Sequence, residues 1–180
     1  MLDSQHANYS FGNLHKLMQF ALSKVNFSSE DNILMLGLGA GSVPYILQKE
    51  YNFAGNLQVV EMDPEVVNIA YQHFNLARYS FLNIHTADAR KFVTVDKHTY
   101  HLIIVDLFID NKIPNAVLTL SFWQQIHRLL QPNGQVIFNA GFDLSAEQLK
   151  QFQHSLSGMF KLKVYSKVAQ YNTLIICSKL

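Results

Sequence analysis

A single cysteine, Cys177, is all the thiol this 180-residue chain has, which excludes an internal disulfide and makes a reducing cytoplasm the expected setting. The four prolines are scattered and no Gly/Ser-rich linker, repeat or low-complexity stretch occurs, so residues 1–180 read as one domain. No basic run is present. Fourteen Lys and Arg stand against thirteen Asp and Glu, for a formal charge of +1, and neither nucleic acid nor an anionic membrane is an expected partner. No apolar run approaches the roughly 20 residues that span a bilayer. The polar opening "MLDSQHANYSFGN" lacks the basic-then-apolar pattern of a secretory signal. The eight histidines show no metal-ligand spacing: His98 and His101 flank a strand start and read as surface-loop residues, so no metal is expected.

What the chain does have is 49% hydrophobic residues with 15% charged, the balance of a globular domain with a sizeable core. Strand-like and helix-like segments alternate. "NLHKLMQFALSKV" (13–25) places Leu14, Leu17, Met18, Ala21, Leu22 and Val25 on one helical stripe. "ILMLGLG" is too short for a helix and reads as a buried strand. "SVPYILQKEY" opens a helix with Ser42 as N-cap and Pro44 in the first turn. "NLQVVEMD" is a second strand, and Asp63-Pro64 supplies the cap and first position of the next helix. "YSFLNIHTAD", "YHLIIVDLF" and "QVIFNAG" read as further strands, the last preceded by a "QPNG" turn. "ARKFV", "SFWQQIHRLL" and "SAEQLKQFQHSLSGMF" read as helices, with capping boxes expected at Ser121/Gln124 and Ser145/Gln148. Two closing strands, "KLKVYSKV" and "NTLIICSKL", follow each other without a helix and should run antiparallel. The pattern predicts an α/β, doubly wound, mostly parallel sheet covered on both faces. Phe122, Trp123 and Cys177 read as core, and His85 as a packed strand histidine.

Three glycines in five positions, Gly37, Gly39 and Gly41, lie between the first strand and its helix. A tight turn under close helix packing accounts for them as well as a ligand does, since Gly lets backbone approach either one. Acids at successive strand ends favour the ligand. Glu61 ends the second strand twenty residues past Gly41, where a carboxylate can accept from both ribose hydroxyls. Asp88 follows the third strand and Asp106 the fourth, with Ala89 beside Asp88 able to meet an adenine edge. A dinucleotide loop wants G-x-G-x-x-G, but its last glycine is Ser42 here, and no P-loop is present. A ligand without a pyrophosphate fits that spacing and points to S-adenosylmethionine.

The segments "ILMLGLGAGSVPYIL", "LQVVEMDPEVVNIAYQHF", "IHTADARKFV", "YHLIIVDLF" and "LLQPNGQVIFN" resemble, in order, those of class I S-adenosylmethionine-dependent methyltransferases, and more narrowly the spermidine synthase-like family. The resemblance runs from about Tyr9 to Asn139 and implies a Rossmann-like methyltransferase fold: a seven-stranded sheet with a reversed edge strand. It implies that Gly37, Gly39 and Gly41 line the methionine moiety, that Glu61 holds the ribose and Met62 packs on the adenine, and that Asp88 and Ala89 meet the adenine edge. Ala40, Asp106 and Leu107 complete the implied cofactor contacts. Asp106 matches the acid that helps accept the proton of the attacking amine, and is the expected catalytic residue.

Two departures separate this sequence from that family. Spermidine synthases carry an acid in the glycine loop, where it pairs with an aminopropyl ammonium; here the position is Ala40, which leaves room for the carboxylate of ordinary S-adenosylmethionine. Their strand-four acid continues as DSSDP; here the sequence is Asp106-Leu107-Phe108-Ile109-Asp110, giving an apolar wall. Nor does the sequence show a counterpart of the small β domain that usually precedes the fold. Methyl transfer to a small acceptor is therefore the leading expectation, beside aminopropyl transfer from the decarboxylated cofactor to a diamine, as in polyamine biosynthesis, and a non-catalytic nucleoside-binding role. The family implies a homodimer. Residues 1–25 read as an N-terminal segment and helix, with Tyr9 and Phe11 either lid residues on a Gly12 hinge or part of a frayed end.

Overall fold

The computed structural model describes residues 2–3, 8–10, 12–39, 41–109, 112–142 and 144–180, the first two groups by backbone alone. Leu2–Asp3 (β1) and Asn8–Ser10 (β2) pair antiparallel. Strands this short leave no periodicity to read, which is why the sequence shows only a polar segment there. Then follow α1 (Asn13–Leu22), β3 (Asn32–Leu36), α2 (Ser42–Tyr51), β4 (Asn56–Glu61), α3 (Pro64–Phe74), β5 (Leu82–Thr86), α4 (Ala89–Val95), β6 (Tyr100–Val105), α5 (Leu120–Leu129), β7 (Leu130–Asn139), α6 (Ala146–Leu156), β8 (Phe160–Val168) and β9 (Asn172–Lys179).

Seven of the strands form one sheet in the order β5-β4-β3-β6-β7-β9-β8. From β5 to β7 all neighbours are parallel, whereas β9 runs antiparallel to both β7 and β8. The expected mixed sheet with one reversed strand is thus present; the reversed strand is β9, the last in sequence, and it lies between β7 and the edge strand β8, to which a tight connection joins it. Successive residues of β3 alternate between two core layers. Ile33 and Met35 pack with α1 and α2, and Leu34 and Leu36 with α4 and α5. Burial on both faces is what makes the strand apolar throughout. Trp123 fills the centre of the second layer. It is fully buried, donates its indole N–H to the Val117 carbonyl at 2.8 Å, and meets Phe138, Phe152 and Phe160 edge-on. Cys177 is buried in the same layer.

Several local expectations are corrected. Gly41, in a left-handed conformation, occupies the N-cap of α2, so Ser42 is its first helical residue rather than its cap. For α5 the cap is Thr119, whose Oγ1 accepts from the Phe122 N–H. A 3₁₀ turn over Asn115–Leu118 delivers Thr119 in the extended conformation, and Ser121 falls inside the helix. The Ser145/Gln148 capping box and the Asp63 cap with Pro64 behind it form as expected. The "QPNG" turn does not precede β7 but bulges out of it, between the Leu130–Tyr100 and Gln135–Leu102 pairs. His85 is exposed against the ring of Phe92, because β5 is the outermost strand. His98 and His101 turn to different carboxylates, Asp96 and Asp31.

Asp96 is a buried acid away from the sheet's C-terminal rim. Burial alone would raise its pKa, but the Tyr100 hydroxyl and His98 hold it below its ordinary value. Its ionised form therefore supports the fold above the ordinary carboxylate range, and that support is lost as pH falls through its lowered value. Tyr100→Phe removes a 2.6 Å hydrogen bond to this carboxylate and should cost about 1–3 kcal/mol at neutral pH. Urea melts should show the deficit narrowing in acid; a constant deficit would locate the effect in packing.

Candidate functional site

Strand order reverses at β3, which pairs with β4 on one side and β6 on the other. Open α/β sheets bind ligands outside the carboxyl ends of strands at such a point. Three strand ends converge there on Gly37. Its N–H donates to the Val60 carbonyl at 2.8 Å, and the Asp106 N–H donates to Leu36 at 2.9 Å. A Cβ on Gly37 would lie 2.2 Å from the Asp106 carbonyl oxygen, and the residue has φ +92°. The first glycine is thus demanded by contact between strand ends as much as by any ligand.

A cleft of about 500 Å³ opens beside this junction, a size suited to a nucleoside-sized ligand. Gly37, Gly39, Glu61, Met62, Asp88, Ala89, Asp106 and Leu107 all line it. Gly41 does not; it caps α2 and faces the Leu76 side chain. Ala40 lies outside the described residues, as do Asp110 and Phe11, and the Tyr9 side chain is likewise undescribed, so the lid expectation is not addressed.

Glu61 is held at both oxygens by backbone N–H groups. Its Oε2 accepts from the Leu38 N–H at 2.9 Å and its Oε1 from the Asp63 N–H at 3.0 Å. Each oxygen keeps a second lone pair for a hydroxyl on the ligand. Met62, 58% exposed, and Val66 supply an apolar surface nearby. Asp88 is more engaged than the sequence suggests. It caps α4 through the Arg90 N–H, and the Arg90 guanidinium pairs with the same carboxylate, holding its pKa below the ordinary value. These residues fit a ribose-bearing ligand with an aromatic base: paired acceptors, two glycines without Cβ in the lining, and apolar walls.

Asp106 sits on the other side of the cleft. Its carboxyl is partly buried and its pKa is pushed up to about 6, by burial first. A hydrogen bond from Asn139 opposes the rise and the negative charge of Glu61 adds to it. Around it the lining is Leu107, Phe108, Ile109, Pro114, Val117 and Phe142. Asn139 was not singled out from the sequence, although it ends β7 as Asp106 follows β6. The strand-end rule that selects Glu61 and Asp88 would have selected it too.

A model of the spermine/spermidine synthase domain matches residues 14–177. Among curated relatives, a polyamine aminopropyltransferase of Vibrio vulnificus is 32% identical over 112 residues, 61% of this chain and 37% of that protein. An eEF1A lysine and N-terminal methyltransferase of Xenopus laevis is 28% identical over 120 residues, 60% of this chain and 17% of that protein. The chain thus spans well under half the length of these relatives. Among solved structures, human methyltransferase-like protein 13 in complex with SAH superimposes with a TM-score of 0.79 at 23% identity, covering 94% of this chain and 83% of that one. A probable spermidine synthase from Corynebacterium glutamicum gives 0.76 at 21%, covering 93% and 64%. These likenesses show the fold. With the domain model matching nearly the whole sequence, the chain belongs to the spermine/spermidine synthase domain family.

Proposed function

We propose that this chain is an S-adenosylmethionine-dependent transferase that delivers a methyl group to a small acceptor. The observation that carries the reading is the division of one cleft. Glu61, oriented by two backbone N–H groups, faces the junction at Gly37, and Asp106 stands opposite it in an apolar surround. Gly37, Gly39, Glu61, Met62 and Ala89 would hold the cofactor, which when bound supplies an electrophilic sulfonium carbon. The protein's own task is then alignment and proton handling. An amine acceptor carries an ammonium with a pKa near that of lysine, about 10.4, and must shed a proton before its nitrogen can attack. The Asp106 carboxylate can orient that ammonium and help take the proton. Acceptor-dependent turnover should therefore fall as pH drops through about 6, where Asp106 becomes neutral.

Support for methyl transfer comes from the acceptor side. Leu107, Phe108, Ile109, Pro114, Val117 and Phe142 line the cleft with Asp106, an apolar surround poorly suited to the far ammonium of a diamine. The eEF1A methyltransferase relatives are consistent with it. The second reading, aminopropyl transfer to a diamine, is favoured by the Vibrio relative, and a place in polyamine synthesis in a reducing cytoplasm would follow from it. Calorimetry separates the two. S-adenosylmethionine should bind at least tenfold more tightly than its decarboxylated form; preference for the latter, with spermidine formed from putrescine, would replace the first reading with the second. Failure to bind either form would end both.

A further inference from the structure

Asn139 ends β7 and is buried, 3% exposed. Its side chain is held at both ends. The Oδ1 accepts from the Gly141 N–H at 3.1 Å, and the Nδ2 donates to Asp106 Oδ1 at 2.9 Å. The backbone N–H can only donate, so it fixes which end of the amide is oxygen and turns the NH₂ to Asp106. The loop that provides this N–H is itself secured. The Gly141 carbonyl accepts from the Thr173 N–H at 2.6 Å, the Ala140 N–H donates to the Thr173 carbonyl at 2.8 Å, and a Cβ on Gly141 would lie 2.9 Å from Phe108 Cε1. A rigid path thus runs from β9 through Gly141 and Asn139 to one oxygen of Asp106.

We propose that Asn139 is a positioning residue for transfer: it clamps Asp106 Oδ1 so that Oδ2 is the oxygen presented to the acceptor. The proposal rests on the transferase reading above. Among the described residues Oδ2 accepts no hydrogen bond. The clamp also bears on the charge of Asp106. Of the charged groups in the cleft, Glu61 and Asp63 come from the β4 end and Asp88 with Arg90 from the start of α4. Glu61 opposes ionisation of Asp106, as burial does, and the neutral amide of Asn139 favours it.

The test reads Asp106 directly. Carbon-13 labelling of aspartate carboxyls, with Asp106→Asn to assign the resonance, follows its titration in the parent, in Asn139→Leu and in Asn139→Asp. Asn139→Leu removes the amide at similar volume, and the Asp106 midpoint should rise. Asn139→Asp keeps an acceptor for Gly141 but sets a second acid on Oδ1, and the midpoint should rise further. If the Leu variant does not fold, the isosteric Asp variant carries the test. An unmoved midpoint in a folded variant overturns the proposal. None of this needs turnover, so it is separate from failure of the transferase reading, which calorimetry on the parent reports. Where the parent transfers, Asn139→Leu should lower kcat/KM for the acceptor about tenfold at neutral pH. The acid limb of its pH profile should move up with the midpoint, and cofactor Kd should stay within about twofold. A uniform fall with the limb in place would mark Asn139 as structural and overturn the proposal equally.

Discussion

Asp106→Asn should abolish transfer and stabilise the protein at the same time. The loss follows from the proposed role of this carboxylate toward the acceptor: an amide of the same shape can neither form an ion pair with an ammonium nor take its proton. Removing such a group typically costs about 100- to 10,000-fold in rate. The gain follows from the direction of the pKa shift. Burial, with Glu61 adding to it, raises the folded-state value from 3.8 to about 6 against the hydrogen bond from Asn139. The native state therefore keeps its proton over a range where the unfolded chain has lost it. Stability declines as pH rises from about 4 to about 6, and the full cost stands above that. Asn at 106 carries no such cost and can still accept from Asn139. The variant should be more stable by about 1–3 kcal/mol at pH 7.5, with the difference vanishing near pH 4. Urea melts at the two pH values measure this. Equal stability at pH 7.5 would mean that ionised Asp106 is solvated well enough to cost the fold nothing. A site that weakens its own scaffold in this way is the expected signature of selection for chemistry over stability.

How far the sequence carried the reading depended on the kind of signal. The strands were legible because β3, β4 and β6 are buried on both faces and so are apolar throughout, with their ends marked by Gly37, Glu61 and Asp106. Placing three acids on one rim needed only the rule that parallel strands share a carboxyl end. Asn139 was missed because an amide raises no alarm as a titratable group, although it obeys the same rule. Gly41 was assigned to the ligand because spacing alone does not tell which glycine faces a cleft and which faces a helix; its neighbour is Leu76. The α5 cap was misplaced by two residues because Thr119 and Ser121 are both competent, and the choice was made by the preceding 3₁₀ turn. His85 looked packed because its strand did, but edge position is a property of sheet order, which a single strand does not reveal.

The glycine loop offers a sharper test of this division between scaffold and site. Gly37→Ala and Gly41→Ala place the same methyl group at nearly the same positive φ, +92° and +86°. Left-handed strain, roughly 1–2 kcal/mol for a non-glycine residue, is common to both. What differs is the neighbour. At Gly41 the new Cβ meets Leu76 Cδ2 at 2.6 Å, a side-chain atom in the core, so the contact is relieved by repacking a side chain and not by moving backbone. At Gly37 it meets the Asp106 carbonyl oxygen at 2.2 Å and the carbonyl carbon at 3.1 Å, both backbone. That backbone is pinned by the Asp106 N–H to Leu36 hydrogen bond, and Gly37 by its own bond to Val60, so relief requires β3 and β6 to part at their ends. Overpacking of this kind adds about 1–3 kcal/mol. Gly37→Ala should therefore cost about 2–5 kcal/mol, and Gly41→Ala little more than the shared strain. Denaturant melts of the two variants give the comparison. The functional consequence separates them further. Parting the strand ends carries Asp106 at the end of β6 away from Glu61 at the end of β4, so Gly37→Ala should lose transfer by far more than its residual folded fraction accounts for. Gly41→Ala, outside the cleft lining, should keep most of it. Equal losses in stability and rate for the two would show that backbone strain alone, and not the meeting of three strand ends, is what requires glycine at position 37.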